Sequence, residues 1–510
     1  MLEGLAQGFA VALQPQNVLY CFVGVLLGTV LGVLPGIGPV AGIALLLPAT
    51  FALHPASAII MLAGIFYGTM YGGSTTSILI NVPGEASSVI TCIDGHEMAR
   101  RGRAGPALGI AAIGSFLAGT AGTVGLMLAA PPLMRLALRF GPAEYAALIV
   151  FALVVLAFLS RGSILRALVM GAFGLLLGTV GLEPVSGHER YTFGLPDLFD
   201  GIGFIPVAMG LFGLAEILDR AATTERVRLL STRLGPVWPG WVDWQRSWRA
   251  ILRGTGIGFL CGLIPGPNAV IASIVSYGVE KRASRHPEEF GQGAIEGVAG
   301  PEAANNAAAS GALVPLFSLG LPSSPPTAVL LAGFLIHGIQ PGPLLMRERP
   351  DVFWGALASM YVGNVMLLVL NLPLVGLFVR ILRVPDRYLL PSVVLFCVVG
   401  AYSIANSLVD VWVMVVFGLF GFAARRLGFD TAPVVLALVL GPVFETSLRQ
   451  ALILSGGSVT AIVARPIVAA FLTLAAALVL WATVSAVRGR PATALAGQPP
   501  EPTIMSSGGA

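Results

Sequence analysis

Gly32-Val-Leu-Pro-Gly-Ile-Gly-Pro39 interrupts one hydrophobic run, and Gly262-Leu-Ile-Pro-Gly-Pro-Asn-Ala269 interrupts another at an offset of 230 (262 − 32). A second echo joins Ser74-Thr-Thr-Ser-Ile-Leu-Ile-Asn-Val-Pro-Gly84 to Val314-Pro-Leu-Phe-Ser-Leu-Gly-Leu-Pro-Ser323, with Pro83 and Pro322 separated by 239 (322 − 83). Proline removes a backbone donor and collides with the preceding turn, so each of these segments breaks a helix inside apolar sequence. Broken segments at corresponding places in two hydrophobic halves point to a secondary-transporter binding site. Two unrelated kinked helices are the alternative source of so short a match.

The sequence around these breaks is built for a lipid solvent. Its 510 residues are 56% hydrophobic and 11% charged, with a mean hydropathy of +0.87, whereas soluble globular proteins carry about 25% charged residues. This excludes a cytosolic enzyme and predicts an all-α polytopic membrane protein, a two-fold internal repeat with broken helices and re-entrant hairpins. The 64 glycines and 36 prolines fall inside apolar runs without a collagen-like period, as broken helices require. Net charge is +4, Lys281 is the sole lysine and the arginines lie mostly in short polar connections, so no nucleic-acid partner is implied. Cys21, Cys92, Cys261 and Cys397 share no CxxC spacing and read as small packing hydrophobes, with no metal or disulfide frame.

A span needs roughly 20 apolar residues. Full-length candidates lie near 17–34, 56–80, 104–130, 142–160, 164–182, 203–218, 352–382, 389–405, 408–424 and 463–487. Residues 37–53, 250–264, 267–279, 307–320, 325–340 and 431–443 are cut by Pro or Gly first and read as half-spans, hairpins or kinked helices, which gives about 10–14 crossings. Residues 1–16 lack the basic region and cleavage site of a signal peptide; Leu2, Leu5, Phe9, Val11 and Leu13 predict an interfacial amphipathic helix. Two membrane halves, 17–218 and 254–487, flank a connection over 219–253. There Arg220, Arg226, Arg228, Arg233, Arg246, Arg249 and Arg253 accompany Trp238, Trp241, Trp244 and Trp248, an arginine excess beside an aromatic belt that marks the cytoplasmic face. Residues 488–510 read as a disordered cytoplasmic tail, and the acid-leaning stretch 183–200 fits a periplasmic placement.

Enzyme motifs are missing where they would decide the class. Without a Gly-Lys-Ser/Thr there is no Walker A loop, and His96-Glu97-Met98-Ala99-Arg100 has arginine where HExxH needs its second histidine. There is no GxSxG elbow, and His54, His96, His188, His286 and His337 have no ligand spacing. The polar and small residues at the breaks remain. Gly36 and Gly38 follow a helix end, where a restarted helix offers unpaired N–H groups to an anion. Ser74, Thr75 and Thr76 put hydroxyls in an apolar run; Asn81, Pro83 and Gly84 break the same run; Asn268 and the pair Ser323 and Ser324 do so in the second half. Close helix packing is the competing use of the glycines.

Within Gly300-Pro-Glu-Ala-Ala-Asn-Asn-Ala307, Glu302, Asn305 and Asn306 are costly at membrane depth unless partnered or lining a wet cavity, which makes them site candidates; capping a helix at the interface is the alternative. Drawing a trivalent anion inward against 100 mV costs about 7 kcal/mol, at roughly 2.3 kcal/mol per charge. Symported Na⁺ or H⁺ must supply it, with Glu302, or Asp94 if it is more than a turn residue, as the cation ligand. No cofactor beyond the coupling ion is implied.

Leu34-Pro-Gly-Ile-Gly-Pro39, Tyr67-Gly68, Ile80-Asn-Val-Pro-Gly84, Asp94-Gly95, Gly102-Arg-Ala-Gly105, Phe290-Gly-Gln-Gly-Ala-Ile-Glu-Gly297, Pro301-Glu-Ala-Ala-Asn-Asn-Ala307 and His337-Gly-Ile-Gln-Pro-Gly-Pro343 together resemble the large permease subunit of the tripartite tricarboxylate transporters. Gly400-Ala-Tyr402, Gly441-Pro442, Glu445 and Arg465-Pro466 extend the resemblance from about residue 17 to 487. It implies a multi-pass permease of the bacterial inner membrane, surrounded by lipid, that works with a small four-helix membrane subunit and a periplasmic solute-binding protein. In that family the binding protein delivers a carboxylate and an ion gradient drives uptake. The family's motifs fall on Pro35, Gly36, Pro83, Gly84, Pro301, Glu302, Asn305 and Asn306. Asn268, in place of the family's glycine, and Leu321-Pro-Ser-Ser324, in place of Ile-Pro-Gly-Ser, add side chains beside the expected site. They leave open whether the substrate is citrate-like or another organic anion. An intramembrane enzyme or scaffold that retains the fold is the reading from a different class.

Overall fold

The computed structural model describes residues 1–34, 37–160, 163–183, 187–222, 235–381 and 386–487. Pro35, Gly36, Arg226, Arg228, Arg233 and the tail 488–510 lie outside the described residues. The first half runs α1 (Leu2–Ala12), α2 (Pro15–Val33), α3 (Pro39–Leu46), α4 (Pro55–Ile80), α5 (Val89–Arg100), α6 (Ala104–Ala137), α7 (Pro142–Leu159), α8 (Ile164–Leu177), α9 (Phe204–Ala208) and α10 (Ala215–Ala222). A π-helical turn, Met209–Leu214, joins α9 to α10, and the two-residue strands Gly181–Leu182 and Glu189–Arg190 pair antiparallel. The second half runs α11 (Trp241–Gly262), α12 (Asn268–Ala283), α13 (Glu296–Leu319), α14 (Pro325–Ile336), α15 (Leu345–Glu348), α16 (Pro350–Asn371), α17 (Val375–Ile381), α18 (Asp386–Ala405), α19 (Leu408–Arg426), α20 (Ala432–Leu454), α21 (Val459–Val463) and α22 (Pro466–Val487).

Among the described residues, nine helices are long and apolar enough to cross a membrane, so the chain is an all-α polytopic membrane protein. Helices α11 and α13 are as long but more polar. Two close crossings organise the interior. Gly24, Gly28 and Gly32 of α2 lie against the backbone of α4, and a Cβ on Gly28 would come within 2.6 Å of the Ile65 carbonyl oxygen. Gly254, Gly258 and Gly262 of α11 lie in the same way against α13, where a Cβ on Gly258 would overlap the Ala304 carbonyl. Lipid gives no hydrophobic drive between helices, so such small-residue stripes supply the packing. Helix α4 is buried along its whole length from Ala56 to Ile80, and α13 from Glu296 to Ser318.

Several boundaries differ from those read in the sequence. The segments 250–264, 307–320 and 431–443, expected as half-spans, hairpins or kinked helices, belong to longer helices: α11 holds the first as far as Gly262, α13 runs through Pro301 and Pro315, and α20 through Pro442. Helix α6 likewise runs past 130 through Pro131 and Pro132. Neighbouring helices in a membrane can satisfy the carbonyls that proline frees. The single span expected over 352–382 is α16 and α17, separated at Pro373. Trp241, Trp244, Trp248 and Arg253 belong to α11, which continues across the expected boundary at 253. Helix α1 docks on α16, where Gly8 abuts the Trp354 backbone and Phe9 stacks on Tyr361 with ring centroids 6.1 Å apart.

Candidate functional site

The second helices after the breaks begin at one place. Gly38 to Ala41 at the start of α3, Pro83 to Ser87 after α4, Pro267 to Val270 at the start of α12 and Ser324 to Pro326 at the start of α14 line a single cavity of about 440 Å³. Its remaining wall comes from Phe66 and Met70 of α4, Val89 of α5, Ala309 of α13, Phe212 of the π-helical turn, Glu216 and Arg425. The first residues of α3, α12 and α14 all border the cavity, so three helix N-termini carrying partial positive charge converge there. Backbone pairing fixes the second-half breaks: the Gly266 amide donates to the Ser323 carbonyl at 2.7 Å. Asn268 ties the same two breaks with its amide, which donates to the Gly262 carbonyl at 3.3 Å and to Ser323 Oγ at 3.4 Å.

Behind this lining lies a buried polar layer. Glu85, 5% exposed, follows the Pro83-Gly84 break, and Gly73 makes room for its stem: a Cβ there would meet Glu85 Cγ at 2.8 Å. Its Oε1 accepts from Ser87 Oγ at 2.6 Å and from Asn305 Nδ2 at 2.7 Å. Glu302, 1% exposed in α13, accepts from Ser74 Oγ at 2.6 Å and from the Thr91 hydroxyl. Asn306 donates to Ser115 Oγ at 2.7 Å. Asn305 Oδ1 is buried without a hydrogen-bond partner among the described residues. Among the described residues, Glu85 and Glu302 therefore have hydroxyl and amide donors and form no ion pair with an arginine. Holding both carboxylates ionised in so buried a place is costly.

The structure thus brings Gly38, Pro83, Gly84, Asn268 and Ser324 into the cavity lining, and Glu302, Asn305, Asn306 and Ser74 into the polar layer behind it. Thr76 and Ser323 make backbone contacts beside the breaks, to the Gly73 carbonyl at 3.0 Å and to the Ala312 carbonyl at 3.2 Å. Thr75 borders a separate narrow crevice with Tyr71, Ser115 and Asn371. Asn81 is exposed at the end of α4, with φ 57°, and Gly36 lies outside the described residues. Asp94 is elsewhere: its Oδ1 accepts from the amides of Gly291, Gly293 and Ala294 at 2.8, 2.7 and 2.9 Å, and its Oδ2 from Tyr277 at 2.9 Å. With those donors it fastens α5 to the loop before α13.

Sequence reading passes over Glu85, Glu216 and Arg425. A lone glutamate after Pro-Gly looks like a loop residue, and its adjacency to a break is the one signal that marks it. Glu445 and Arg465, quoted above for their resemblance, fasten connecting segments to helices: Arg190 of the short strand pair donates to Glu445 of α20 at 2.8 Å, and Arg465, just before α22, to Glu144 of α7 at 3.0 Å.

Broken helices whose ends meet at one cavity, in an all-α membrane protein, are the arrangement of the secondary-transporter class. The chain matches the family described as the tripartite tricarboxylate transporter TctA family over residues 18–436 and belongs to it; as its large subunit it is one component of a multi-subunit transporter. It is similar, at 49% identity over 490 residues covering 96% of this chain and 98% of the relative, to an "uncharacterized 52.8 kDa protein in TAR-I ttuC' 3'region" of Agrobacterium vitis. An "uncharacterized protein in TAR-II ttuC' 3'region" from the same organism is 46% identical over 233 residues, covering 46% of this chain and 96% of that relative. No solved structure matches.

Proposed function

We propose that this subunit forms the membrane pathway of a binding-protein-dependent importer in the bacterial inner membrane, which moves a di- or tricarboxylate together with Na⁺ or H⁺. The observation that carries the proposal is the single cavity of about 440 Å³ bordered by all the break segments described above. The N-terminal ends of α3, α12 and α14 suit the substrate's carboxylates. Glu85, Glu302 and Asn305 suit the cation, because Asn305 Oδ1 is a buried acceptor whose amide already touches Glu85. A small four-helix membrane subunit and a periplasmic solute-binding protein complete the system.

Reconstitution tests it. Proteoliposomes that contain the chain and its small partner, with citrate-loaded binding protein outside, should accumulate labelled citrate or a related di- or tricarboxylate only under an inward Na⁺ or H⁺ gradient. Turnover that ignores both gradients, or no uptake across a broad panel of acids, would count against it and favour an intramembrane enzyme or scaffold. Asn305→Ala or Asn306→Ala should abolish uptake and leave assembly intact; normal transport by both would remove the polar layer from the pathway.

A further inference from the structure

The cavity lining contains one base. Among the described lining residues Arg425 is the sole cation, and Glu85 and Glu216 are the sole acids. Arg425 lies in the last turn of α19 and Glu216 in the first turn of α10. One guanidinium nitrogen donates to Glu216, and the other terminal nitrogen donates to the Leu211 carbonyl at 3.1 Å. Leu211 belongs to the π-helical turn. Such turns are rare and frequently sit at functional sites. Helix α19 approaches this turn through small residues: a Cβ on Gly421 would meet the Leu211 Cα at 3.2 Å. The backbone therefore grips Arg425 from one side, while its carboxylate partner is a side chain in the same cavity.

The Arg425 and Glu216 side chains are 27% and 28% exposed. An ion pair so open to solvent contributes little to stability. Its position matters more. A guanidinium is a planar fork of donors that matches a carboxylate in two parallel hydrogen bonds, and here it borders a cavity whose other anion-attracting groups are uncharged helix ends. We propose that Arg425 receives one carboxylate of the transported acid and that Glu216 competes with the substrate for it. The Leu211 carbonyl orients the fork, and the incoming carboxylate takes over the nitrogen that Glu216 holds. This inference rests on the carboxylate-import reading, and it supplies the charge-based selectivity that the helix ends lack.

The test compares initial uptake rates of labelled citrate and labelled succinate in proteoliposomes holding the full-length chain, its small partner and the binding protein. Arg425→Gln should raise KM on the order of 10- to 100-fold, the loss expected for a charge-assisted contact, and Arg425→Lys should give an intermediate value. Glu216→Gln should lower KM, because a neutral amide competes poorly for the guanidinium. A pair that serves only as a fastener would move both variants the same way, with lower unfolding midpoints and unchanged KM, and that result would overturn the proposal. If Arg425→Gln fails to fold, Glu216→Gln decides alone: a KM equal to or above wild type sinks the idea. Wild-type vesicles that take up neither these two acids nor any other of a broad acid panel would instead overturn the import reading itself.

Discussion

Gly24, Gly28 and Gly32 of α2 abut Met61, Ile65 and Thr69 of α4, and Gly254, Gly258 and Gly262 of α11 abut Gly300, Ala304 and Ala308 of α13. The second glycine set follows the first by 230 positions (254 − 24) and the second carbonyl set follows by 239 (300 − 61), the same offsets that relate the two sequence echoes. Helix α4 ends at Asn81 with φ 57° and α13 at Gly320 with φ 70°, again 239 apart (320 − 81). Side chains do not follow the backbone. Glu85 of the first half corresponds to Ser324 of the second, Glu302 to Ala63 and Asn305 to Phe66, all at that same offset. The matching contacts make two similar scaffolds; the mismatched side chains collect the acids of the polar layer in one place, through Ser74 to Glu302 and Asn305 to Glu85. The likeness of the two halves therefore stops at the backbone, and the acids Glu85 and Glu302 have no counterpart in the other half.

Making the first half resemble the second is the severest way to break this contrast. Glu85→Ser installs the second half's residue and removes the acceptor that Ser87 and Asn305 share. Hydrogen bonds to a charged group are worth about 1.5–3 kcal/mol each, so uptake of labelled citrate should fall by about 100-fold or more. The complex should still assemble, as judged by size-exclusion chromatography, because the main loss is the acceptor of the Asn305 amide, at a cost of about 1–3 kcal/mol. Uptake within a few-fold of wild type would show that the acid has no part in transport.

How much of this was legible in the sequence depends on the range of the interactions. The breaks were, because Pro83, Pro265 and Pro322 act on their own turns and are surrounded by apolar residues that make them conspicuous. Glu302, Asn305 and Asn306 stand out by their cost at membrane depth, yet the apolar run marks only 307–320 where α13 spans Glu296–Leu319, since proline at 301 and 315 is tolerated once neighbouring helices cover the freed carbonyls. Glu85 and Arg425 were illegible for a different reason. The partner of Glu85 lies 220 positions away, and an arginine at a helix end carries the same local signal whether it flanks a span or borders a cavity. Asp94 misled because its donors come from a loop about 200 residues on.

The two crossings themselves give a smaller and paired effect. Gly28→Val and Gly258→Val each push a branched side chain into a facing carbonyl, and overpacking of this kind typically costs 1–3 kcal/mol. Unfolding midpoints in detergent should drop by similar amounts for both variants. A large drop for one and none for the other would show that only one crossing bears the fold, and the likeness of the halves would then be confined to their sequence.

The smallest effect is expected where the halves close their long helices. Asn81 is exposed and adopts the left-handed conformation that asparagine tolerates, so Asn81→Gly should change stability by no more than about 0.5 kcal/mol. Gly320 has the same backbone conformation and less room: a Cβ there would come within 2.5 Å of the Pro341 carbonyl oxygen. Gly320→Asn therefore copies the first half's residue into a place that lacks its space, and should cost at least about 1 kcal/mol, the low end for strain of this kind. Equal midpoints for the two exchanges would mean that the loop bearing Pro341 yields to the new side chain. A larger drop for Gly320→Asn would show that the backbone likeness stops at the helix end, where the second half is packed against its own following segment and the first half is open.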